Sequence, residues 1–142
     1  MIDDELRQRA MQIARTADVA TSRDCAVVYS VSFLPTTENK DKAFAYIAAN
    51  PQAMTIEQTA CGKALLNLHL ENFAESEADK FEIAAIWAEA SKRYIEQASG
   101  NITAFVHGAD SRSVFLSVEL PAIMKNAKIS TINKLKKHEF IV

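Results

Sequence analysis

Apolar and polar positions follow a helical period through most of the first two thirds of the chain. From Ile2 to about Val19, apolar residues recur every three or four positions behind an acidic first turn, which predicts an amphipathic helix. Thr55-x-x-Gln58 has the capping-box pattern, and Ser76-x-x-Asp79 resembles a second helix start signal, each ahead of an apolar run. The first predicts a helix that continues towards Leu70, and the second predicts the helix that carries Trp87.

The segments between these helices are less regular. Residues Ala26 to Phe33 are rich in β-forming side chains but stop at Pro35, so the pattern does not decide between a strand and a helix. Thr36 to Asp41 is polar and is interpreted as a loop. Lys42 to Asn50 then predicts a short helix, which Pro51 ends.

In the last third of the chain, apolar residues alternate with others as they do in β-strands. Gly100 ends the helix of Trp87, and Asn101 to His107 alternates apolar with other side chains. Lys128 to Asn133 predicts a second strand, and Phe140 to Val142 is a candidate for the sheet edge. The loop between the two strands is expected to deliver Glu119, a carboxylate inside an apolar run.

This order of elements predicts an α/β protein. The two clear strands are separated by more than a hairpin loop, which favours a parallel sheet. We therefore expect a single compact domain, residues 1–142, with an N-terminal helical lobe of about residues 1–80. This helical lobe is expected to pack on a small C-terminal α/β lobe of about residues 81–142, with a cleft between the two lobes.

Composition narrows the classes of function. A chain of 142 residues that is 49% apolar can bury one ordinary core. A formal charge of −2 argues against nucleic-acid binding, and so does the spread of basic residues along the chain, whose densest group, Lys134–His138, has only three lysines. The two cysteines form no Cys-x-x-Cys pair, which indicates a reducing compartment, and no apolar run has the length of a membrane span.

Three stretches in order carry a family resemblance. Thr55–Gly62 is similar to a Thr-Leu-Glu-Asp-Thr-x-x-Gly motif, Ile86–Tyr94 to a Phe-Trp-x-x-x-Ser helix, and Ala98–Pro121 to the strand and catalytic loop that follow. Together they resemble the ADP-ribosyl cyclase and NAD glycohydrolase family. The likeness is best over residues 54–133.

The resemblance implies a role for each matching residue. Glu119 stands at the catalytic glutamate, which stabilises the ribosyl cation formed as nicotinamide leaves. Trp87 matches a tryptophan that stacks on the substrate, and Ser91 a serine near the reacting ribose and phosphates. Glu57 matches the acid that contacts the nicotinamide amide and biases cyclisation against hydrolysis, and Phe115 matches the aromatic residue of the catalytic loop.

The chain also departs from the family pattern. Tyr29 and Ser30 are expected to replace a second pocket tryptophan and its serine, without the arginine that follows them in the family. Gln58 replaces an aspartate, and Val114 replaces a threonine that helps to hold phosphate. These changes make plain hydrolysis to ADP-ribose a better expectation than cyclisation. The family's usual disulfide cysteines are missing, which fits action inside a cell.

The chemistry is consistent with these residue types. Nicotinamide departs as a neutral base and leaves an oxocarbenium-like sugar, so the reaction needs no metal and no cofactor. We therefore expect an NAD⁺ glycohydrolase that serves as an antibacterial toxin domain. It would be delivered in a larger secreted bacterial protein, act in the cytoplasm of the target cell, and meet an immunity protein that covers the cleft. No stable membrane insertion is expected.

Two other classes stay open at this point. His69, His107 and His138 would suit a small metal-independent ribonuclease that uses two histidines and a lysine. A non-catalytic, immunity-like domain that binds a protein partner would use its acids to mimic a substrate. Taken singly, Trp87 would be ordinary core and Glu57 an ordinary helix-dipole partner.

Overall fold

Three parallel strands and one antiparallel strand form the sheet on which the helices pack. The computed structural model describes residues 2–142. Within them the sheet has the order β1–β2–β3–β4, with β1 beside β2 and β2 beside β3 in parallel and β3 antiparallel to β4. The strands are β1 (Val27–Tyr29), β2 (Gly100–Phe105), β3 (Ile129–Ile132) and β4 (Leu135–Lys136).

The longest helix begins where the sequence pattern predicted, behind Ser76. Asp3 accepts from the Leu6 N–H at the first helix, and Ser76 and Asp79 complete a capping box at the longest one. The helices are α1 (Asp4–Thr16), α2 (Glu38–Ala49), α3 (Ala60–Leu66), α4 (Glu77–Gln97) and α5 (Leu120–Lys125). Short 3₁₀ helices occupy Ile56–Gln58, Leu70–Phe73 and Lys137–Glu139.

The α/β fold class predicted from the sequence is confirmed. One buried cluster takes apolar side chains from α1, β1, α3, α4, β2, α5 and β3, so helices and sheet share a core. Tyr94 of α4, which is fully buried, ties this core to the edge of the sheet. Its hydroxyl accepts from the Val27 N–H and has the carbonyl oxygens of Val27 and Met54 as the two acceptors within reach of its one proton.

The predicted helix from Thr55 to Leu70 is wrong as a single element. The capping box of Thr55 and Gln58 is present, but it starts a 3₁₀ turn that ends at Thr59. Thr59 is extended and caps α3 by accepting the Gly62 N–H. A Cβ at Gly62 would lie 2.0 Å from the Ile56 carbonyl oxygen, so glycine allows the turn and α3 to pack closely.

Three other boundaries differ from the sequence interpretation. The open segment Ala26–Phe33 is a strand only over β1. The predicted loop Thr36–Asp41 is largely the first turn of α2, which begins at Glu38. Phe140–Val142 forms no strand; β4 takes the sheet edge instead, because Asn133 and Lys134 both have positive φ and form a tight hairpin turn.

Within residues 2–142, no helix has both the length and the apolar composition that a bilayer crossing requires. Cys25 and Cys61 are free thiols.

The Tyr94 hydroxyl gives a direct test of this architecture. We expect Tyr94→Phe to lower the free energy of unfolding by about 1–3 kcal/mol, because buried backbone groups of Val27 and Met54 lose a partner. Urea unfolding measures the change.

The matched control is Tyr46→Phe. Within residues 2–142 the Tyr46 hydroxyl has no hydrogen bond, so its loss should change the free energy of unfolding by less than about 0.5 kcal/mol. Equal destabilisation by the two substitutions would contradict the role given to Tyr94.

Candidate active site

A cavity of about 220 Å³ opens at the carboxyl end of β1, where ligands commonly bind in parallel sheets. Side chains from β1, the 3₁₀ turn after Thr55, α4 and the segment before α5 meet there. The seven residues predicted from the sequence all line this one cavity: Tyr29, Ser30, Glu57, Trp87, Ser91, Phe115 and Glu119. The other lining residues are Val27, Val28, Val31, Ser32, Thr55, Ile56 and Val114.

A wide helical turn carries Glu119, so the prediction that a loop between the two strands delivers this residue is wrong. Phe115–Glu119 is a π turn in which the Leu120 N–H donates to the Phe115 carbonyl five residues back. Pro121 explains the widening, because it has no N–H and its ring would press on the preceding turn of a regular α-helix. The π turn thus runs directly into α5.

Glu119 is buried in this turn with its carboxyl at the cavity. The residue is 6% exposed, and within residues 2–142 its carboxyl has no hydrogen-bond donor. Burial, followed by the nearby charge of Glu57, raises the pKa of Glu119 to about 8. An ionised carboxylate here is costly, so the site favours a ligand that brings positive charge.

The second acid of the cavity is held by a phenol. The Tyr29 hydroxyl donates a hydrogen bond to Glu57 Oε1, and the Tyr29 ring packs at 5.8 Å from the ring of Phe44. Burial and this bond to Glu57 raise the pKa of Tyr29, so the phenol remains a donor. The sequence predicted Tyr29 as the replacement of a second pocket tryptophan; its structural contacts are those of a residue that orients Glu57.

Helix α4 supplies the aromatic wall. Trp87 and Ser91 are four residues apart and therefore share a face of the helix. Trp87 is partly buried against the main core, and Ser91 is buried. The indole thus packs against the core and also lines the cavity.

Ser30 and Phe115 border the cavity as buried residues. The Ser30 backbone is fixed by its N–H bond to Phe105 and by the Asn39 side-chain amide, which donates to the Ser30 carbonyl. Phe115 is 1% exposed and meets the Phe140 ring edge-on at 6.3 Å. Phe115 therefore belongs mainly to the core beneath the site.

Sequence reasoning did not single out Ser32 and Ile56 as cavity residues. Ser32 follows the carboxyl end of β1, a position where parallel sheets commonly place binding groups, so a firm strand assignment would have indicated it. Nothing in the sequence indicated Ile56 as a cavity residue, because its side chain has no polar or ionisable group. Gln58, which replaces the family's aspartate, bonds its own cap residue Thr55 and does not line the cavity.

Neither a metal-binding cluster nor a histidine accompanies Glu119 at this cavity, within residues 2–142. Within residues 2–142, no cluster of three or more His, Cys, Asp or Glu side chains could hold a metal ion. His107 lines a separate cavity near the C-terminal residues. The side chains of His69 and His138 are 65% and 78% exposed, and none of the three histidines lines the cavity of Glu119.

A larger cavity of about 580 Å³ lies between α4 and α5. It is lined by Val118, Pro121 and Ala122 together with exposed lysines. The π turn forms part of the walls of both cavities, with Ser117 and Val118 on one and Glu119 on the other. We assign the candidate active site to the smaller cavity, because it holds the buried acids and the indole.

This arrangement defines an α/β protein whose buried acid and indole share a cleft. No protein-family model matches the sequence, and no curated protein matches it. Solved structures do match. Porcine CD38 in complex with a covalent intermediate has a TM-score of 0.59 at 18% identity, over 92% of this chain and 68% of that one.

Two further solved structures match the fold of this chain. A glutamate-to-alanine mutant of ADP-ribosyl cyclase has a TM-score of 0.55 at 17% identity, over 78% of this chain and 48% of that one. A second CD38 structure has a TM-score of 0.55 at 16% identity, over 92% of this chain and 66% of that one. The fold is therefore ADP-ribosyl cyclase-like, as the motifs predicted, and this chain spans about half to two thirds of the chains it resembles.

The unpartnered carboxyl of Glu119 predicts an unusual pH dependence of stability. A carboxyl whose pKa rises from 4.5 to about 8 on folding leaves stability unchanged at low pH and reduces it as pH rises through that interval. We expect Glu119→Gln to unfold like the original protein near pH 4.5. At pH 9 it should be more stable by on the order of a few kcal/mol.

Urea unfolding at a series of pH values measures this difference. Glu71→Gln is the control, because the Glu71 side chain is 74% exposed and should give no pH-dependent gain. A constant difference between Glu119→Gln and the original protein from pH 4.5 to 9 would show that the carboxyl is not buried as described.

Proposed function

We propose that this protein is an NAD⁺ glycohydrolase that breaks the nicotinamide–ribose bond and releases nicotinamide and ADP-ribose. The observation that carries the proposal is the buried, unpartnered carboxyl of Glu119 in one cavity with the indole of Trp87. The ADP-ribosyl cyclase-like fold supports an activity on NAD⁺ in general. The particular reaction rests on the cavity.

Glu119 supplies the electrostatic part of the reaction. Nicotinamide leaves as a neutral molecule, and positive charge develops on the ribose as the bond breaks. A carboxylate in a site of low polarity stabilises that charge far more than it would in water. Since Glu119 has no donor within residues 2–142, its charge is available for the sugar.

The remaining residues bind and orient the substrate. The Trp87 ring stacks on the positively charged pyridinium before it leaves. Glu57, fixed by Tyr29, accepts a hydrogen bond from the nicotinamide amide. Ser91, one turn along α4 from Trp87, contacts the ribose. The reaction runs without a metal or a cofactor in this assignment.

Hydrolysis is favoured over cyclisation by two features of the cavity. Val114 lines it as an apolar residue where the family resemblance expects a phosphate-holding threonine. Tyr29 and Ser30 stand where that resemblance expects tryptophan and serine, and Tyr29 is engaged with Glu57. With fewer groups to fold the dinucleotide back on itself, water captures the ribosyl cation and gives ADP-ribose.

The biological setting is also part of the proposal. Unregulated cleavage of NAD⁺ is destructive to a cell, and the small size and free cysteines suit a domain that works in a reducing compartment. We assign the protein as a toxin domain of bacterial competition. It is delivered in a larger secreted protein, acts in the target cytoplasm, and is neutralised by an immunity protein over the cavity.

The reaction is tested by incubating the protein with NAD⁺ and following free nicotinamide and ADP-ribose. We expect Glu119→Gln to reduce nicotinamide release by roughly 10²–10³-fold or more, because the amide carries no charge to stabilise the cation. Circular dichroism should show that the variant is folded. Glu71→Gln should keep the original rate.

A parallel incubation with total RNA addresses the ribonuclease alternative. Cleavage of RNA that His→Ala changes abolish, with no release of nicotinamide from NAD⁺, would overturn the proposal. Inactivity towards both substrates together with tight binding of a protein would favour the partner-binding class.

The pair of Tyr29 and Glu57 should govern how the substrate is held. We expect Glu57→Ala to raise KM or to change the ratio of cyclic to linear ADP-ribose. Tyr29→Phe should shift the same quantity in the same direction by less, because Glu57 loses the donor that orients it. Tyr46→Phe is the matched control and should change neither quantity. If Glu57→Ala leaves the rate and product ratio unaltered, Glu57 has no part in the site.

A further inference from the structure

The cavity of Glu119 can hold only part of a dinucleotide. Its volume of about 220 Å³ is below the ~300–1,000 Å³ typical of small-molecule sites. Its charged lining residues are Glu57 and Glu119, and within residues 2–142 no lysine or arginine lines it. The cavity therefore suits the cationic nicotinamide–ribose end and repels the pyrophosphate, which must lie outside, beyond the mouth.

Two loops that supply lining residues of the cavity also contact each other through Phe33 and Arg112, which do not line it. Ser32 and Val114 are lining residues, Phe33 follows the first, and Arg112 precedes the second by two positions. The Arg112 guanidinium carbon lies 4.0 Å from the centroid of the Phe33 ring. This is a close cation–π stack between the two loops.

The stack is held in a defined geometry from both sides. Arg112 Nε and Nη2 donate to the two carboxylate oxygens of Asp110 at 2.8 and 3.1 Å. The Asp110 carboxylate also accepts the Arg112 backbone N–H at 2.9 Å. Phe33 has φ of 66°, a backbone conformation rare for a bulky residue, and its side chain is 60% exposed.

One edge of the guanidinium remains open. Arginine has five N–H donors, and the bond pair with Asp110 uses one from Nε and one from Nη2. Within residues 2–142 the Nη1 group of Arg112 has no acceptor. A planar group that is stacked, oriented and left with free donors is well suited to a phosphate oxygen.

We propose that Arg112, seated on Phe33 and oriented by Asp110, binds the pyrophosphate of the dinucleotide and so selects NAD⁺ over substrates without phosphates. The inference rests on the proposed function, because it takes the nicotinamide end to occupy the cavity of Glu119. It assigns the anion contact to a loop different from the one in which the family resemblance expects an arginine.

The test compares NAD⁺ with nicotinamide riboside, which has the same scissile bond and no phosphate. Arg112→Ala should raise KM for NAD⁺ by roughly 10- to 100-fold, because a charge-assisted hydrogen bond is lost. It should leave kcat for NAD⁺ and the kcat/KM for nicotinamide riboside within about twofold of the original values. Arg112→Lys should recover part of the affinity through its charge alone, and Arg15→Ala, on the exposed end of α1, should behave as the original protein.

Binding of ADP-ribose provides a readout that does not depend on catalysis. Calorimetry should show that the original protein binds ADP-ribose and that Arg112→Ala binds it roughly 10-fold or more weakly. If neither NAD⁺ nor nicotinamide riboside is cleaved, the proposed function fails, and this comparison still decides the anion site. Equal affinity of the two proteins for ADP-ribose, absence of binding to the original protein, or an equal loss of kcat/KM for both substrates would overturn the assignment of Arg112.

Discussion

The buried carboxyl of Glu119 is the constraint on which the structure around it depends. Ionisation of this carboxyl is costly, because burial deprives the carboxylate of water and no group within residues 2–142 donates a hydrogen bond to it. The rest of the fold must therefore hold it in place. The π turn, α4 and the end of β1 enclose it, and the shared core behind them keeps those elements together. The buried carboxyl lowers the free energy of unfolding, and natural proteins commonly have such destabilising groups at functional sites.

The two acids inside the cavity and the guanidinium of Arg112 outside its lining follow the order of charges in the proposed substrate. Two acids lie inside, and the charge of one raises the pKa of the other, so the interior becomes most favourable when a cation enters. Tyr29 donates a hydrogen bond to Glu57, and Arg112, stacked on Phe33 and paired with Asp110, keeps the N–H donors of its Nη1 group without an acceptor within residues 2–142. A molecule with a positive ring at one end and phosphates further along is complementary to this order.

The sequence predicted the elements whose signals are local. The capping residues Thr55 and Ser76 were identified correctly, because a cap depends on residues within three positions. The strand β1 could not be decided, because three residues gain their structure from pairing with β2, more than 70 positions later. The π turn was interpreted as a loop, since Pro121 normally marks a helix boundary. The stack of Phe33 on Arg112 joins residues far apart in the chain and had no signal at all.

The π turn makes the direction of the Glu119 carboxyl depend on the number of residues in the turn as well as on their types. Each residue of a regular helix turns the side-chain direction by about 100°. Loss of a single residue between Phe115 and Pro121 would point the acid away from the indole even if every functional side chain were kept. A comparison of aligned sequences would record such a gap as minor, although it would separate a chain that keeps the acid and the indole in one cavity from a chain of the same fold that does not.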